Sequence, residues 1–253
     1  MQSLDAIDSD TLNSNTTNSD LSEPNNYDVI AHNANINTYY DSPAVQFFEQ
    51  VTQNQIHLGY WDDKYPNINM AQAAKRLTQV VIDQFDLPKN SRLLDIGCGC
   101  GLPAIDIVKQ KDYRVDGITI NPQQHQKAEA LATESGLSDQ AVFCVGDACT
   151  LPYSDQHFNA VLLLESIHHI GHKEALAEAW RVLKPGGTIL IADGVVLREK
   201  VKNIDKTLLA ETFVAKSLLT ESEIYQNLCL AGFSAIETID LTDEIQPSWA
   251  KLG

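Results

Sequence analysis

The feature that most constrains the fold of this chain is a glycine-rich turn between two apolar segments. An apolar run at residues 92–96 predicts a short buried strand, and the segment that begins at Leu102 predicts a helix. A strand that turns directly into a helix leaves backbone N–H groups unpaired at the helix N-terminus, where the helix dipole is positive. Glycine adopts positive φ and lets a ligand approach the backbone closely. The sequence therefore predicts a ligand site at this turn, built by Gly97, Gly99 and Gly101.

Short apolar runs and amphipathic segments alternate through most of the chain. This alternation predicts an α/β fold with a doubly wound, mainly parallel sheet and helices on both faces. Ligands of such sheets bind beyond the carboxyl ends of the strands. The predicted strands are 92–96, 113–120, 141–145, 160–164 and 188–192, and the predicted helices are 103–110, 123–134, 173–183 and 221–231.

Composition divides the chain into a tail and one domain. Residues 1–26 are rich in Ser, Asn, Thr and Asp and hold too few apolar side chains to offset the entropy cost of folding, so we expect a disordered tail. Residues 27–253 then form a single domain. Within it, an aromatic cap over about 39–68 either packs on a sheet edge or covers a ligand, and a helix capped by Asn69 follows. The cap includes a short helix whose apolar face would hold Phe47, Phe48 and Val51.

Charge and cysteine content limit the partners and the compartment. The chain has 34 acidic and 18 basic residues, a formal charge of −16 that repels nucleic acid and anionic membrane surfaces. The expected partner is a small molecule or another protein. No apolar run is long enough to cross a bilayer, and no signal segment is visible. Five cysteines are an odd number, and Cys98 and Cys100 lie too close together for the usual zinc pair. We therefore expect a cytoplasmic protein with no metal.

The residue before the glycines selects among nucleotide-like ligands. The glycine spacing does not match the dinucleotide fingerprint, and Asp95 would repel a pyrophosphate. An acid at this position suits a cationic or zwitterionic ligand. The sulfonium compound S-adenosyl-L-methionine, which also carries an amino group, fits this requirement.

Three segments at the strand ends resemble motifs of the class I S-adenosylmethionine-dependent methyltransferases. They are the turn at residues 93–101, the tripeptide Gly146-Asp147-Ala148 and the turn at residues 183–187. The resemblance covers about residues 39–249 and implies a Rossmann-like methyltransferase fold with S-adenosyl-L-methionine as cofactor. It implies that Gly97, Gly99 and Gly101 line the methionine part, that Asp95 acts near its amino group, and that Asp147 accepts from the adenine amino group beside Ala148.

The second strand departs from the pattern of that family. Most members end this strand with an acid that binds the ribose hydroxyls, whereas residues 117–124 contain no acid. The segment is similar to a subset of small-molecule methyltransferases that use polar side chains instead. This resemblance implies ribose contacts by Thr119, Asn121 and Gln124, and a position at the cofactor edge for Glu165.

Further segments resemble bacterial natural-product O-methyltransferases of the rebeccamycin sugar type. They are residues 57–61, 164–169 and 191–193. In that group a histidine after the fourth strand is the general base, helped by an aspartate after the fifth. The resemblance implies His169, or second to it His168, as the base, with Asp193 orienting the ring or sharing the proton. It also implies a substrate lid made of an insert at about residues 195–219 with Tyr40, His57, Tyr60 and Trp61.

Other interpretations stay open at this point. The histidine pair is also explained by packing or by a metal. The chain could be an N- or C-methyltransferase of a small metabolite, or a non-catalytic S-adenosylmethionine-binding protein, while Asp95 disfavours a nicotinamide oxidoreductase.

The C-terminal segment differs from the family pattern. A last strand is predicted over residues 234–241, and members of the family usually continue to a final antiparallel strand beside the fifth. No residues remain for that strand before Gly253. We therefore expect an exposed sheet edge and self-association into a homo-oligomer.

Overall fold

The computed structural model describes residues 26–196, 214–216 and 218–252. The tail predicted for residues 1–26 lies outside this range except for Asn26, which begins a helix. Residues 197–213 of the predicted lid insert also lie outside it.

From Asn26 onward, three helices precede the sheet in the described residues: α1 (Asn26–Tyr40), α2 (Pro43–Val51) and α3 (Met70–Asp83). The predicted cap at Asn69 is confirmed, because its side chain accepts from the Gln72 backbone N–H in a reciprocal capping box. The face predicted for α2 is wrong. Val45 and Glu49 are its buried residues, whereas Phe47 is 67% exposed. Glu49 turns inward because it pairs with Lys127 and accepts from the Cys100 thiol.

The sheet follows the predicted alternation of strands and helices. Its five strands are all parallel, in the order β3-β2-β1-β4-β5. The α/β fold with a doubly wound parallel sheet is therefore confirmed. The strands are β1 (Arg92–Ile96), β2 (Arg114–Thr119), β3 (Ala141–Val145), β4 (Phe158–Leu164) and β5 (Leu183–Ala192), and the helices between them are α4 (Leu102–Lys111), α5 (Pro122–Glu134) and α6 (His172–Val182), with a 3₁₀ turn at Ile167–His169 before α6.

Successive side chains of the central strands enter two apolar layers, one on each face of the sheet. Leu93 and Leu162 pack on one face, and Leu94 and Leu163 on the other. Both faces are covered, so the polar loops are confined to the ends of the strands. The carboxyl ends of β1 to β5 consequently converge on one edge.

The C-terminal segment does not form the predicted strand. Residues 234–241 pair with no strand in the described part of the chain, and Ala235 has a φ of 53°, which breaks an extended backbone. Helices α7 (Glu221–Ala231) and α8 (Thr242–Leu252) flank this segment. The fully buried Ser248 hydroxyl accepts from the Gly59 backbone N–H at 2.9 Å and from the Trp61 indole at 2.8 Å. The C-terminal helix therefore docks on the aromatic cap.

Candidate cofactor and methyl-transfer site

A cavity of about 990 Å³, including the space at its mouth, lies beyond the carboxyl ends of the strands. Loops after β1, β2, β3 and β4 form its floor, and α1 and the 54–57 segment form its cover. Eleven of the predicted site residues line it: Tyr40, His57, Asp95, Gly97, Gly99, Thr119, Gln124, Asp147, Ala148, Glu165 and His169. Gly101, Asn121, His168, Asp193, Tyr60 and Trp61 are outside its lining.

The three glycines of the turn occupy their positions for different local reasons. Gly97 has a φ of 77°, and a Cβ atom there would lie 2.4 Å from the Ser166 Cβ. Gly101 has a φ of 82°, and a Cβ atom there would lie 2.8 Å from both Ala128 and Phe143. Gly97 and Gly101 thus let the turn pack against neighbouring elements, whereas Gly99 has ordinary space and faces the cavity.

Asp95 places an unsatisfied carboxylate oxygen at the end of β1. The residue is 1% exposed, and its Oδ2 atom has no hydrogen-bond partner among the described residues. Burial raises the pKa of this carboxyl to about 7. A cationic group in the cavity would stabilise the ionised form and satisfy the oxygen.

The loop after β2 divides its polar side chains between the cavity and α5. The Thr119 hydroxyl donates to Gln124 Oε1 at 2.9 Å, and the buried Gln124 Nε2 has no partner in the part of the chain that the structure describes. Asn121 instead caps α5, accepting from the backbone N–H groups of Gln123 and Gln124, and its Nδ2 donates to Asp41 at 3.1 Å. Thr119 and Gln124 are therefore the polar residues of this segment that line the cavity.

Asp147, after β3, is held by hydrogen bonds to both carboxylate oxygens. The Cys149 backbone N–H donates to Oδ1 at 2.8 Å, and Asn33 Nδ2 of α1 donates to Oδ2 at 3.0 Å. Ala148 is buried beside it and also lines the cavity.

The loops after β4 and β5 bring His168 and Asp193 together. His168 Nδ1 lies 2.8 Å from Asp193 Oδ1, which also accepts from the Gly194 backbone N–H at 2.7 Å. Burial by itself lowers the pKa of His168, but the attraction and hydrogen bond of Asp193 outweigh it, so the pKa is raised. The imidazole is thereby oriented and made more basic, while 18% of its side chain stays exposed.

His169 is buried and faces the cavity directly. Its Nδ1 lies 3.3 Å from the Val214 carbonyl oxygen, and its ring centroid lies 4.0 Å from that of His168. The Tyr40 ring packs edge-on against it, with the centroids 5.6 Å apart. Burial also raises the pKa of the Tyr40 hydroxyl, which stays protonated.

Glu165 joins the loop after β4 to the aromatic cap. Both of its carboxylate oxygens accept from the Leu58 backbone N–H, at 3.1 and 3.0 Å. Burial, with a smaller contribution from the nearby Asp193, raises the pKa of Glu165 to about 8. Its φ of 46° is in the left-handed region, a local strain of the kind found at functional sites.

The aromatic cap is mainly structural around residues 57–61. His57 bonds the Leu58 carbonyl and the Thr78 hydroxyl, and burial lowers its pKa to about 4, so it is neutral. Trp61 is buried against α8, and Tyr60 packs against the core with Arg76 over its ring. Of these three side chains, His57 lines the cavity.

Comparisons with known proteins agree with this geometry. The family described as Methyltransferase domain matches residues 94–191. The 27-O-demethylrifamycin SV methyltransferase of Amycolatopsis mediterranei (strain S699) is 32% identical over 222 residues, which cover 84% of this chain and 78% of that protein. This chain belongs to the class I S-adenosylmethionine-dependent methyltransferases. It is therefore an enzyme that methylates a small molecule with S-adenosyl-L-methionine.

Two solved structures show how the methyltransferase fold is shared. The [4+2]-cyclase SpnF is 28% identical, with a TM-score of 0.74, and the match covers 86% of this chain and 79% of that one. A geranyl diphosphate methyltransferase in complex with GPP and sinefungin is 18% identical, with a TM-score of 0.77, and the match covers 88% of this chain and 87% of that one. The second likeness concerns the fold alone.

The lining of the cavity fits the cofactor of this methyltransferase. Asp95 Oδ2 is a buried acceptor and Gln124 Nε2 is a buried donor, and neither has a partner in the described part of the chain. A ligand with an amino group that donates and a hydroxyl group that accepts would satisfy both atoms. When bound, S-adenosyl-L-methionine supplies an electrophilic methyl group. Among the described residues, no cluster of three or more metal-ligating side chains is present.

Sequence reasoning missed residues that reach the cavity from distant segments. Asn33 and Ile36 lie on α1, and Lys216 lies in the short described segment 214–216. Asn33 and Ile36 precede Tyr40 at helical spacing, which is the one signal that pointed to them.

In the described residues, no helix has the length and apolar character needed to cross a membrane.

Proposed function

We propose that this methyltransferase methylates a hydroxyl group of a natural product, with a histidine as general base. The observation that carries the proposal is the hydrogen bond between His168 Nδ1 and Asp193 Oδ1, because the His168 ring lies 4.0 Å from that of His169, which lines the cavity. An amine that arrives neutral needs no such base, whereas a hydroxyl is a weak acid. The carboxylate–imidazole pair therefore favours oxygen as the methylated atom.

The proposed reaction combines one proton transfer with one bond formed and one bond broken. The acceptor hydroxyl loses its proton to His168 Nε2 as its oxygen bonds the methyl carbon, and the carbon–sulfur bond breaks with its electron pair left on sulfur. Asp193 holds Nδ1 as the protonated nitrogen, so Nε2 is the nitrogen that accepts. This hydrogen bond shifts our preference from His169 to His168 as the base. His169 then forms the wall against which the acceptor is aligned.

The apolar residues in the lining of the cavity indicate the character of the acceptor. Ile36, Ile56, Pro103, Leu164 and Ile170 give the cavity a largely apolar surface. Such a surface suits a hydroxylated secondary metabolite with an apolar body. The rifamycin methyltransferase relative supports this class. A sugar attached to such a body is the narrower acceptor implied by the rebeccamycin-type resemblance.

The test is a panel of hydroxylated polyketides and glycosylated aromatic metabolites, incubated with the full chain and methyl-labelled cofactor. We expect S-adenosylhomocysteine and labelled ether product in equal amounts. His168→Gln should lower kcat about 10²–10⁴-fold. His157→Gln is the matched control, because His157 directly precedes β4 at the opposite end of the sheet and should leave kcat within twofold. Equal rates for His168→Gln and wild type would overturn the general-base assignment.

A second candidate follows from the likeness to a cyclase. The match to the [4+2]-cyclase SpnF extends over most of both chains. If this chain were a cyclase, it would convert its substrate to a cyclised product without forming S-adenosylhomocysteine. The ratio of S-adenosylhomocysteine to product therefore separates the two candidates, with a ratio of one supporting methyl transfer.

A further inference from the structure

One face of the C-terminal half of α1 lines the cavity. Asn33, Ile36 and Tyr40 all contribute to the lining, and their spacing of three and four residues places them on one side of the helix. Seven residues of α-helix span about 10 Å. This face therefore reaches from Asp147, which Asn33 contacts, to His169, which Tyr40 contacts.

The carboxylate of Asp147 is fixed by donors from two separate elements. The Cys149 N–H comes from its own loop, whereas Asn33 is 114 residues away in sequence. Each carboxylate oxygen has two lone-pair sites, so both oxygens keep one site for a further donor. A carboxylate bonded on both oxygens has a defined plane, in contrast to one that rotates freely about its terminal torsion.

We propose that Asn33 is a positioning residue for the adenine amino group, through the orientation that it gives to Asp147. This inference rests on the cofactor and on the adenine contact expected for Asp147. Without Asn33, Asp147 is held at one oxygen only, and the entropy cost of ordering the carboxylate is added to cofactor binding. The loss is confined to ligands that carry the amino group, because Asn33 acts through Asp147.

The test compares two ligands that differ at one position of the base. Binding of S-adenosylhomocysteine and of its 6-deamino analogue, which has a hydrogen atom in place of the amino group, is measured by calorimetry on the full chain. Wild type should bind the adenine compound at least about tenfold more tightly, because a C–H group cannot replace the N–H donor to Asp147. Asn33→Ala should weaken S-adenosylhomocysteine binding about five- to tenfold and change binding of the 6-deamino analogue less than twofold.

Two further variants separate positioning from support of the helix. Thr38→Ala is the matched control on α1, because the Thr38 hydroxyl bonds the Ala34 carbonyl of the same helix, and it should change neither affinity. Asn33→Asp places a second carboxylate against Asp147 and should lose more affinity than Asn33→Ala. Adding Asp147→Asn to Asn33→Asp restores a donor–acceptor pair and should recover part of that loss. In turnover, Asn33→Ala should raise KM for the cofactor and leave kcat unchanged.

Each adverse outcome identifies what is wrong. Equal losses for both ligands in Asn33→Ala would mean that Asn33 only supports α1, and no loss would mean that it has no role; either result overturns the inference. Wild type that binds neither ligand would contradict the cofactor assignment itself. Wild type that binds both equally would contradict the adenine contact of Asp147.

Discussion

The two ends of the cavity differ in how their buried polar groups are satisfied. At the cofactor end, Asp95 Oδ2 and Gln124 Nε2 have no hydrogen-bond partner within the described ranges of the chain. At the histidine end, Asp193 bonds His168 and Gly194, and Glu165 bonds Leu58. A buried polar group without a partner costs about 1–3 kcal/mol, a cost that a bound ligand removes. The cofactor end thus leaves a buried acceptor and a buried donor for a ligand, whereas at the histidine end the two carboxylates are bonded within the protein, and the unsatisfied atom in the described residues there is Nδ1 of the neighbouring His172.

This difference separates binding from chemistry. Unsatisfied groups at the cofactor end give that end a strong preference for a ligand of matching polarity. The proposed base at the histidine end adjoins a cavity with many apolar side chains, so we expect shape more than hydrogen bonding to select the acceptor. Changes at the first end should therefore alter affinity for the cofactor, and changes at the second should alter kcat.

The largest expected effect on affinity comes from Asp95→Asn. Loss of a hydrogen bond between a carboxylate and a charged amino group should weaken S-adenosylhomocysteine binding about 10–100-fold in calorimetry. The same variant should raise Tm at pH 8, because it removes a buried charge. Asp106→Asn, a partly buried acid on α4, is the control. Unchanged affinity in Asp95→Asn would contradict the role of Asp95.

Cofactor affinity should also depend on pH through Asp95. Its pKa is about 7 in the free protein, so the carboxyl is largely protonated at pH 6 and ionised at pH 8. The ligand's amino group requires the ionised form, and the affinity should therefore rise about tenfold from pH 6 to pH 8. Calorimetry at both pH values measures this change. Asp95→Asn should abolish it, and a persistent rise in that variant would assign the dependence to another group.

The smallest effect on the site is expected from Ser248→Ala, because Ser248 is outside the lining of the cavity. Ser248 accepts from Gly59 and Trp61 and donates to the Gly59 carbonyl, all in a fully buried position. Its loss should lower the free energy of unfolding by about 1–3 kcal/mol. Denaturant unfolding measures that loss, and affinity for S-adenosylhomocysteine should stay within twofold. A large loss of affinity would show that α8 shapes the cavity directly.

The parts of this molecule that could be predicted are those whose local structure is determined by residues close together in the sequence. The strand, turn and helix around Gly97 depend on local periodicity and glycine conformation. The ligand preference inferred from Asp95 depends only on the position of this residue before the turn. Asn69 begins its helix for an equally local reason. These features were therefore predictable with their boundaries nearly correct.

The remaining parts depend on contacts between distant segments. Asn33 reaches Asp147 because α1 crosses the cavity, and no local pattern encodes that crossing. Trp61, an expected lid residue, donates to Ser248 because the C-terminal helix docks on the aromatic cap, and no element was predicted for residues 242–252. Both His168 and Asp193 were identified, but the bond between them depends on the register of β4 with β5.

The separation of the two ends is tested most directly by measuring both kcat and cofactor affinity in Asp193→Asn. We predict that kcat falls at least about 100-fold, because His168 loses the carboxylate that orients it, while S-adenosylhomocysteine affinity stays within twofold of wild type. Asp155→Asn, which changes a surface partner of Arg181, should alter neither quantity. A parallel loss of affinity and kcat in Asp193→Asn, or an unchanged kcat, would contradict the account.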